Sequence, residues 1–364
     1  MIAFIVGTTA ELIKISPVHR ELVARGRAVE IWYSGQHVEE LASTLEDLGL
    51  PAPQVWLVPR EGARNLARPA DVPRWGARVL GTVLRRRAHL VKRLASDGTP
   101  PVVLVHGDTF TAPVGAIIGR VLGARVGHVE AGLRSGNLLH PFPEELNRRV
   151  VGRLADLHFP PTPVEARHLR RHRGAIVTTG ANTVVDAVRH ALARPGGLAV
   201  ELPETYAVAT LHRFELVRRE DLYREALEVL QEASLQVPII YFAGASERER
   251  LEQYGLLDLF DPVHFRIEDK LSYVAFLPVL AGARFVVTDS GGLQEESAYL
   301  GIPCAVHRAH TERDAGAGQT MVLTRLEARG LRAFLADPER YRSSGPLDDA
   351  RPSITIADAI DALS

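Results

Sequence analysis

Cysteine occurs once in 364 residues, at Cys304, so the chain can close no internal disulfide, and a reducing compartment suits it. Lysine is nearly as scarce. Of 43 basic residues only Lys14, Lys92 and Lys270 are lysines, which gives each of them weight in so arginine-rich a chain. An excess of charge of one sign is missing too: a formal value of −1 creates no field that would draw nucleic acid or an anionic membrane. The N-terminal apolar run, Ile2 to Val6, stops at Gly7; it is too short for a signal peptide or a membrane span, and the expected location is cytoplasmic. The turn at Gly7 is neither a Gly-x-Gly-x-x-Gly dinucleotide fingerprint nor a Walker loop, and no redox cofactor is expected. His168 and His172 lack ligand spacing, so no metal is expected either.

What is present suits a globular protein of two domains. The apolar fraction is 46% and the charged fraction 24%, and the length exceeds what one compact core fills. The chemistry is densest between Val102 and Arg149. Val102-Val103-Leu104-Val105-His106 reads as a buried strand that breaks into Gly107-Asp108-Thr109. Gly127-His128-Val129-Glu130-Ala131-Gly132-Leu133-Arg134-Ser135 comes next, then Pro143-Glu144-Glu145-Leu146-Asn147-Arg148-Arg149. Asp108, Glu130 and Glu144 each stand where a strand or helix meets a loop, a placement that suits acid–base chemistry. Each has a plainer reading. Asp108 can cap a helix starting near Phe110, and Glu144 and Glu145 stand four residues before Arg148 and Arg149, at ion-pair spacing.

From the N-terminus, Ile2–Val6 reads as a strand and Gly7-Thr8-Thr9-Ala10 as a turn. Leu12, Ile15, Val18, Leu22 and Val23 then mark the inner face of a helix. Such a turn presents amides and a helix dipole to an anion, and Lys14 is either within reach of a diphosphate or simply solvated. Val29–Tyr33 gives a second strand, Gly35-Gln36-His37 follows it, and residues 51–73 read as loop. A helix is expected from Arg74 to Ala95 with Val79, Leu80, Val83, Leu84, Leu90, Val91 and Leu94 buried and Arg85–Arg87 solvated. Arg194–Pro203 has linker composition. Beyond it the pattern restarts: Tyr206–Leu211 ends in His212-Arg213-Phe214-Glu215, and Phe285–Thr288 breaks into Asp289-Ser290-Gly291-Gly292. Ser290, Gly291 and Gly292 offer amides at a helix start, suited to phosphate or to a plain cap, and Glu296 is placed to accept from a ribose diol. The expected fold is α/β, with two Rossmann-like domains facing a cleft. The expected divisions are 1–195, 196–345 and a closing segment 346–364.

HGDT, HVEAGLRSG and PEELNRR, in this order and spacing, resemble the motifs of the non-hydrolysing UDP-N-acetylglucosamine 2-epimerases, and so do Asp289–Glu296 and Thr311-Glu312-Arg313. The likeness extends along most of the chain. It implies the glycosyltransferase B architecture, with a last helix (about Ile354 to Leu363) packed back on the first domain. The nucleotide would be held mainly by the second half and the sugar would lie against the first, with Lys14, His37, Arg134, Arg213, Phe276, Ser290–Gly292, Glu296 and Arg313 as the substrate-binding residues. Departures are specific. Thr9 and Ala10 replace an arginine and a proline, Phe214 replaces an arginine after His212-Arg213, and Asp314-Ala315 replace Pro-Glu after Arg313. Ala243-Gly244-Ala245-Ser246 stands where bacterial members have Pro-x-His-x-Asn-Pro.

The implied reaction is inversion at C2 of a UDP-2-acetamido sugar. That proton is not beside a carbonyl, so direct abstraction would be very slow. Breaking C1–O to UDP makes C1 cationic and the C2 proton acidic; elimination leaves a glycal, and re-addition with protonation from the other face gives the epimer. Two faces need two proton carriers, drawn from Asp108, Glu130 and Glu144, with Asp108 and Glu144 the preferred pair. Lys14, His212 and the Ser290–Gly292 amides would stabilise the departing diphosphate. The expected partners are a UDP-sugar and a second copy of the chain, as a homodimer. Alternatives are a hydrolysing epimerase that releases UDP and free sugar, a UDP-sugar-dependent glycosyltransferase, and an impaired UDP-sugar-binding paralogue.

Overall fold

The computed structural model describes residues 1–60, 66, 71–136, 142–194, 200–311, 315–345 and 350–363. Among these, thirteen short strands build two sheets in which every pairing is parallel. The first sheet holds β1 (Ile2–Val6), β2 (Val29–Tyr33), β3 (Val55–Trp56), β4 (Val102–His106), β5 (Arg125–Val129), β6 (Leu157–Phe159) and β7 (Ala175–Ile176), in the order β3-β2-β1-β4-β5-β6-β7. The second holds β8 (Ala207–Thr210), β9 (Ile239–Ala243), β10 (Phe265–Asp269), β11 (Val286–Thr288), β12 (Cys304–Val306) and β13 (Met321–Leu323), in the order β10-β9-β8-β11-β12-β13. Helices cover both faces of such sheets, so central strands lose alternation and read as continuous apolar runs. β1 and β4 are buried at every position.

Each order reverses once, between β1 and β4 in one sheet and between β8 and β11 in the other. In doubly wound folds the loops beyond the carboxyl ends of the strands at such a reversal are where ligands bind. The chain divides into two compact units, Met1–His190 with Ala350–Ser364, and Ala191–Asp349. One core gathers Trp32, Leu57, Trp75, Val103 and Val126; the other gathers Tyr223, Tyr241, Phe265, Val287 and Phe334.

The closing helix Pro352–Asp361 belongs to the first unit and packs on the helix Thr9–Ala24. Arg25 bonds Asp358 and Asp361 at 2.6 and 2.9 Å, and Ser353 donates to Asp186 from its amide (2.8 Å) and its hydroxyl (2.6 Å). Partly exposed ion pairs contribute at most about 1 kcal/mol each, whereas a fully buried isoleucine contributes about 1.5–3 kcal/mol. Ile356 and Ile360, both fully buried, therefore anchor this helix more firmly than its arginine contacts do.

Several expectations need correction. The 74–95 helix is two helices, Val72–Arg85 and Arg87–Leu94, broken at Arg86, and Leu84, off the buried stripe of Trp75, Val79 and Val83, is 61% exposed. Val23, placed on the inner face of the first helix, is half exposed. The loop of residues 51–73 contains β3, and its residues 61–65 and 67–70 lie outside the described set.

Candidate active site

β1 runs into Gly7 and Thr8, and no larger residue fits at Gly7: a Cβ would collide with Ser34 Oγ and Thr111 Oγ1. Thr8 caps the helix Thr9–Ala24 in a capping box with Glu11. Glu11 Oε2 accepts the amides of Gly7 (2.7 Å) and Thr8 (2.9 Å), and Oε1 accepts the Thr109 hydroxyl at 2.6 Å. Burial raises the pKa of this carboxyl; the bonds from Thr109, Gly7 and Thr8 pull it back. The anion-ready turn expected here is thus corrected: the chain's own carboxylate fills it. Lys14 is not the solvated lysine of the plainer reading: it is buried, and its ammonium donates to Glu130 Oε2 at 2.5 Å.

β4 and β5 lie side by side, and the Gly107 amide bonds Val129 carbonyl at 2.9 Å, so their loops leave the sheet together. Glu130 has φ of 62°, a left-handed conformation that costs a side-chain-bearing residue energy and that clusters at functional sites. Besides Lys14, its Oε2 accepts from Asn182 Nδ2 at 2.8 Å and lies 3.3 Å from His106 Nε2. Asp108 does not cap the helix Thr111–Val121; its Oδ2 accepts from Arg148 Nη2 at 2.5 Å, and its carbonyl accepts from Asn147 Nδ2 at 2.8 Å.

Asn147 and Arg148 ride on the helix Glu144–Leu154, whose first turn carries Glu144, partly buried, and Glu145, wholly buried. It is Glu145 that collects the arginines. Arg149 Nε bonds it at 2.9 Å, Arg148 Nη1 and Arg134 Nε lie 3.7 and 4.0 Å away, and the Ser135 amide donates to it at 3.1 Å. Burial lowers the pKa of Arg134, which faces Glu145 but also Arg149 and Arg148. His37 is exposed beyond β2; its amide bonds Gly7 carbonyl at 2.8 Å, and partial burial lowers the pKa of its ring.

In the second unit, His212 and Arg213 lie in the turn after β8, and both amides donate to Asp289 Oδ2, at 2.8 and 2.7 Å. His212 Nδ1 lies 3.2 Å from Asp289 Oδ1, with the ring half exposed. Burial raises the pKa of Asp289, which His212 and the two amides offset. Ser290 caps the helix Gly291–Leu300, its Oγ accepting the Leu293 amide at 3.4 Å. The amides of Gly291 and Gly292 make no hydrogen bond among the described residues. Glu296 is buried on this helix, and Phe276 packs edge-on against Phe242 at 5.3 Å. Arg313 lies outside the described residues.

The motifs therefore bring Asp108, Glu130, Glu144, Lys14 and Arg134 to the carboxyl end of the first sheet. They bring His212, Arg213, Ser290, Gly291, Gly292 and Glu296 to that of the second. Glu11, His106, Glu145, Arg148, Asn182 and Asp289 were not singled out. Thr8-x-x-Glu11 carries a readable capping-box signal; the other five reveal their partners only once the strands are ordered. Among the described residues no cluster of His, Cys, Asp or Glu could hold a metal ion, and no helix is long and apolar enough to cross a membrane.

Comparison with known proteins bears directly on this arrangement. A family model described as UDP-N-acetylglucosamine 2-epimerase matches residues 21–332. A curated UDP-N-acetylglucosamine 2-epimerase of Methanocaldococcus jannaschii is 30% identical over 328 residues, covering 86% of this chain and 84% of its own. That of Bacillus subtilis is 33% identical over 285 residues, covering 73% and 74%. The crystal structure of the M. jannaschii enzyme in complex with UDP-GlcNAc and UDP matches with a TM-score of 0.76 at 25% identity, over 99% of both chains. The Neisseria meningitidis enzyme bound to UDP-GlcNAc matches with a TM-score of 0.77 at 25% identity, again over 99% of both. The fold class is accordingly α/β with two Rossmann-like domains, of the glycosyltransferase B type.

Proposed function

The chain belongs to the UDP-N-acetylglucosamine 2-epimerase family, and on that footing we propose that it interconverts UDP-GlcNAc and UDP-ManNAc by eliminating UDP to a glycal and adding it back. The observation that carries the reading is the convergence of Asp108, Glu130 and the Glu144 helix at the carboxyl end of one sheet, from three separated stretches of sequence. One acid removes the C2 proton as C1–O breaks and the electron pair leaves with UDP; another protonates C2 from the opposite face as UDP returns to C1. Asp108 and Glu144 are the preferred pair. Glu130 is buried with the Lys14 ammonium on its Oε2, and Lys14 serves the reaction through it.

The diphosphate is assigned to the second unit, where Gly291 and Gly292 present amides at a helix start with no acid in its first turn. His212, steered by Asp289, stands beside them to steady the departing charge, and Arg213, Phe276, Glu296 and Arg313 complete the proposed nucleotide contacts. His37 and Arg134 are assigned to the sugar side. The same reading takes the working form to be a cytoplasmic homodimer, which the mass in solution checks.

The reaction is tested in deuterated water with UDP-GlcNAc, followed by proton NMR. The expected product carries deuterium at C2 with its anomeric diphosphate intact and no stoichiometric UDP accumulating. Release of free sugar and UDP together would assign a hydrolysing epimerase instead, and inversion with protium retained at C2 would contradict exchange through two acids.

A further inference from the structure

The reaction scheme leaves out the guanidinium that joins the acid-bearing stretches. Arg148 is 3% exposed, and its Nη2 sits 2.5 Å from Asp108 Oδ2. Among the described residues its Nε and Nη1 make no hydrogen bond, and Glu145 Oε2 lies 3.7 Å from Nη1. Glu145 is held from other directions, by the Ser135 amide at 3.1 Å and Arg149 Nε at 2.9 Å. A side chain one position away on the same helix, Asn147, donates to the Asp108 carbonyl at 2.8 Å. One helix thus grips Asp108 at both backbone and carboxylate.

The grip is one-sided. Asp108 is a quarter exposed, and its Oδ1 carries no hydrogen bond or ion pair among the described residues, while Oδ2 is taken by Arg148. Burying a guanidinium for a single charged hydrogen bond is an expensive way to stabilise a fold, since desolvation generally consumes what the pair returns. The same arrangement is well suited to fixing one carboxylate oxygen so that the other has one direction left. Glu145 explains how it is tolerated: it is a fully buried counter-charge that offsets Arg148 without competing for its bond to Asp108.

We propose that Arg148 is the positioning residue of Asp108, with Glu145 as its buried counter-charge, so that Asp108 Oδ1 is presented to the substrate proton. The proposal rests on Asp108 acting chemically. It also accounts for the Ser135 and Arg149 contacts: they hold the counter-charge, and through it the arginine, in place.

The test is a double-mutant cycle on the full chain. Arg148→Ala and Arg148→Lys are each made alone and together with Asp108→Asn, with kcat and KM for UDP-GlcNAc measured and folding followed by thermal melts. Arg148→Lys keeps the charge that Glu145 needs, and so supplies a folded variant where Arg148→Ala melts early. Both single variants should lose about a hundredfold in kcat, the scale of a misplaced catalytic group, with KM changed less than about twofold. Millimolar guanidinium should restore part of the Arg148→Ala rate and none of the Asp108→Asn rate. In the Asp108→Asn background neither Arg148 change should cost a further factor. An equal loss in both backgrounds, or full kcat in a folded Arg148 variant, overturns the inference while leaving Asp108 its role. Normal turnover by Asp108→Asn overturns that role first, and this inference with it.

Discussion

Asp108 and Asp289 stand just past the corresponding strands, β4 and β11, of two sheets with the same core order. Their surroundings divide them. Asp289 is fully buried, and its Oδ2 braces the turn after β8 by accepting the His212 and Arg213 amides. In the first unit the matching turn, after β1, is braced by Glu11 from the following helix, which accepts the Gly7 and Thr8 amides. Because that bracing carboxylate comes from elsewhere, Asp108 stays partly exposed, with one oxygen unbonded among the described residues. The exchange also separates two chemistries. A carboxylate in the first turn, as in the helix Thr9–Ala24, repels an anion; the helix Gly291–Leu300 has none there and begins with two glycines. Proton transfer suits the first unit and phosphate the second.

The sharpest way to break this comparison is to remove the charge at each acid. Asp108→Asn should lower kcat by about a hundredfold or more, the usual scale for a general acid or base, with little change in melting temperature. Lys14→Met comes next. With its ammonium on Glu130 rather than on a phosphate, it should lower kcat by roughly tenfold to a hundredfold and leave the Kd for UDP unchanged by calorimetry. Weakened UDP binding at normal kcat would instead return Lys14 to the diphosphate.

Acid should separate the units as well. Burial lowers His19 to about 4 and His128 to about 3 in the first unit, and His307 to about 4 in the second; His158 and His172, also in the first, are lowered too. A neutral buried imidazole leaves the unfolded state binding more protons below about pH 6.5, so the stability it gives is present above that pH and lost as pH falls toward the folded value. Glu11 and Asp289, raised by burial, work the other way, one in each unit. Hydrogen exchange at pH 7 and pH 5 should therefore show protection falling more in residues 1–190 than in 200–345. Equal loss would mean that these histidines do not set the acid response. A smaller effect is expected of Asp289→Ala, which strips the acceptor from two amides and should cost about 1–3 kcal/mol in chemical denaturation.

How much of this was legible follows from what each contact depends on. Ile2–Val6 and Val102–His106 announce themselves as strands because a parallel strand buried on both faces is apolar throughout. Val55-Trp56 is too short to carry any such signal; a helix break at Arg86 leaves no mark in the apolar spacing, and Leu84, beside Val83 in sequence, falls off the stripe that Trp75, Val79 and Val83 bury. At the site, spacing made Glu144–Arg148 and Glu145–Arg149 equally good pairs. Arg148 went instead to Asp108, forty residues earlier, and Lys14 to Glu130, 116 residues later. Those choices depend on strand order, which brings β1, β4 and β5 side by side and which no local pattern states. The motifs named the acids, and the topology chose their partners.

The smallest change bears most directly on the division of labour. Among the described residues a Cβ at Gly292 would meet only Ser290 Oγ, at 3.7 Å, an ordinary contact, so Gly292→Ala fits the folded second unit. Alanine is the better helix former, and the variant should be more stable by up to about 1 kcal/mol. A methyl group at a helix start also stands where a phosphate must approach the amides, the reason glycine recurs at such turns. UDP binding should therefore weaken by at least about fivefold, roughly 1 kcal/mol, as the melting temperature rises. Gly7→Ala in the first unit should do the reverse: its Cβ has no room beside Ser34 and Thr111, so stability falls, and UDP affinity in the folded fraction stays. A Gly292→Ala protein that is stabilised yet binds UDP as tightly as the parent would take the phosphate away from the Ser290–Gly292 amides and end the proposed separation of chemistries.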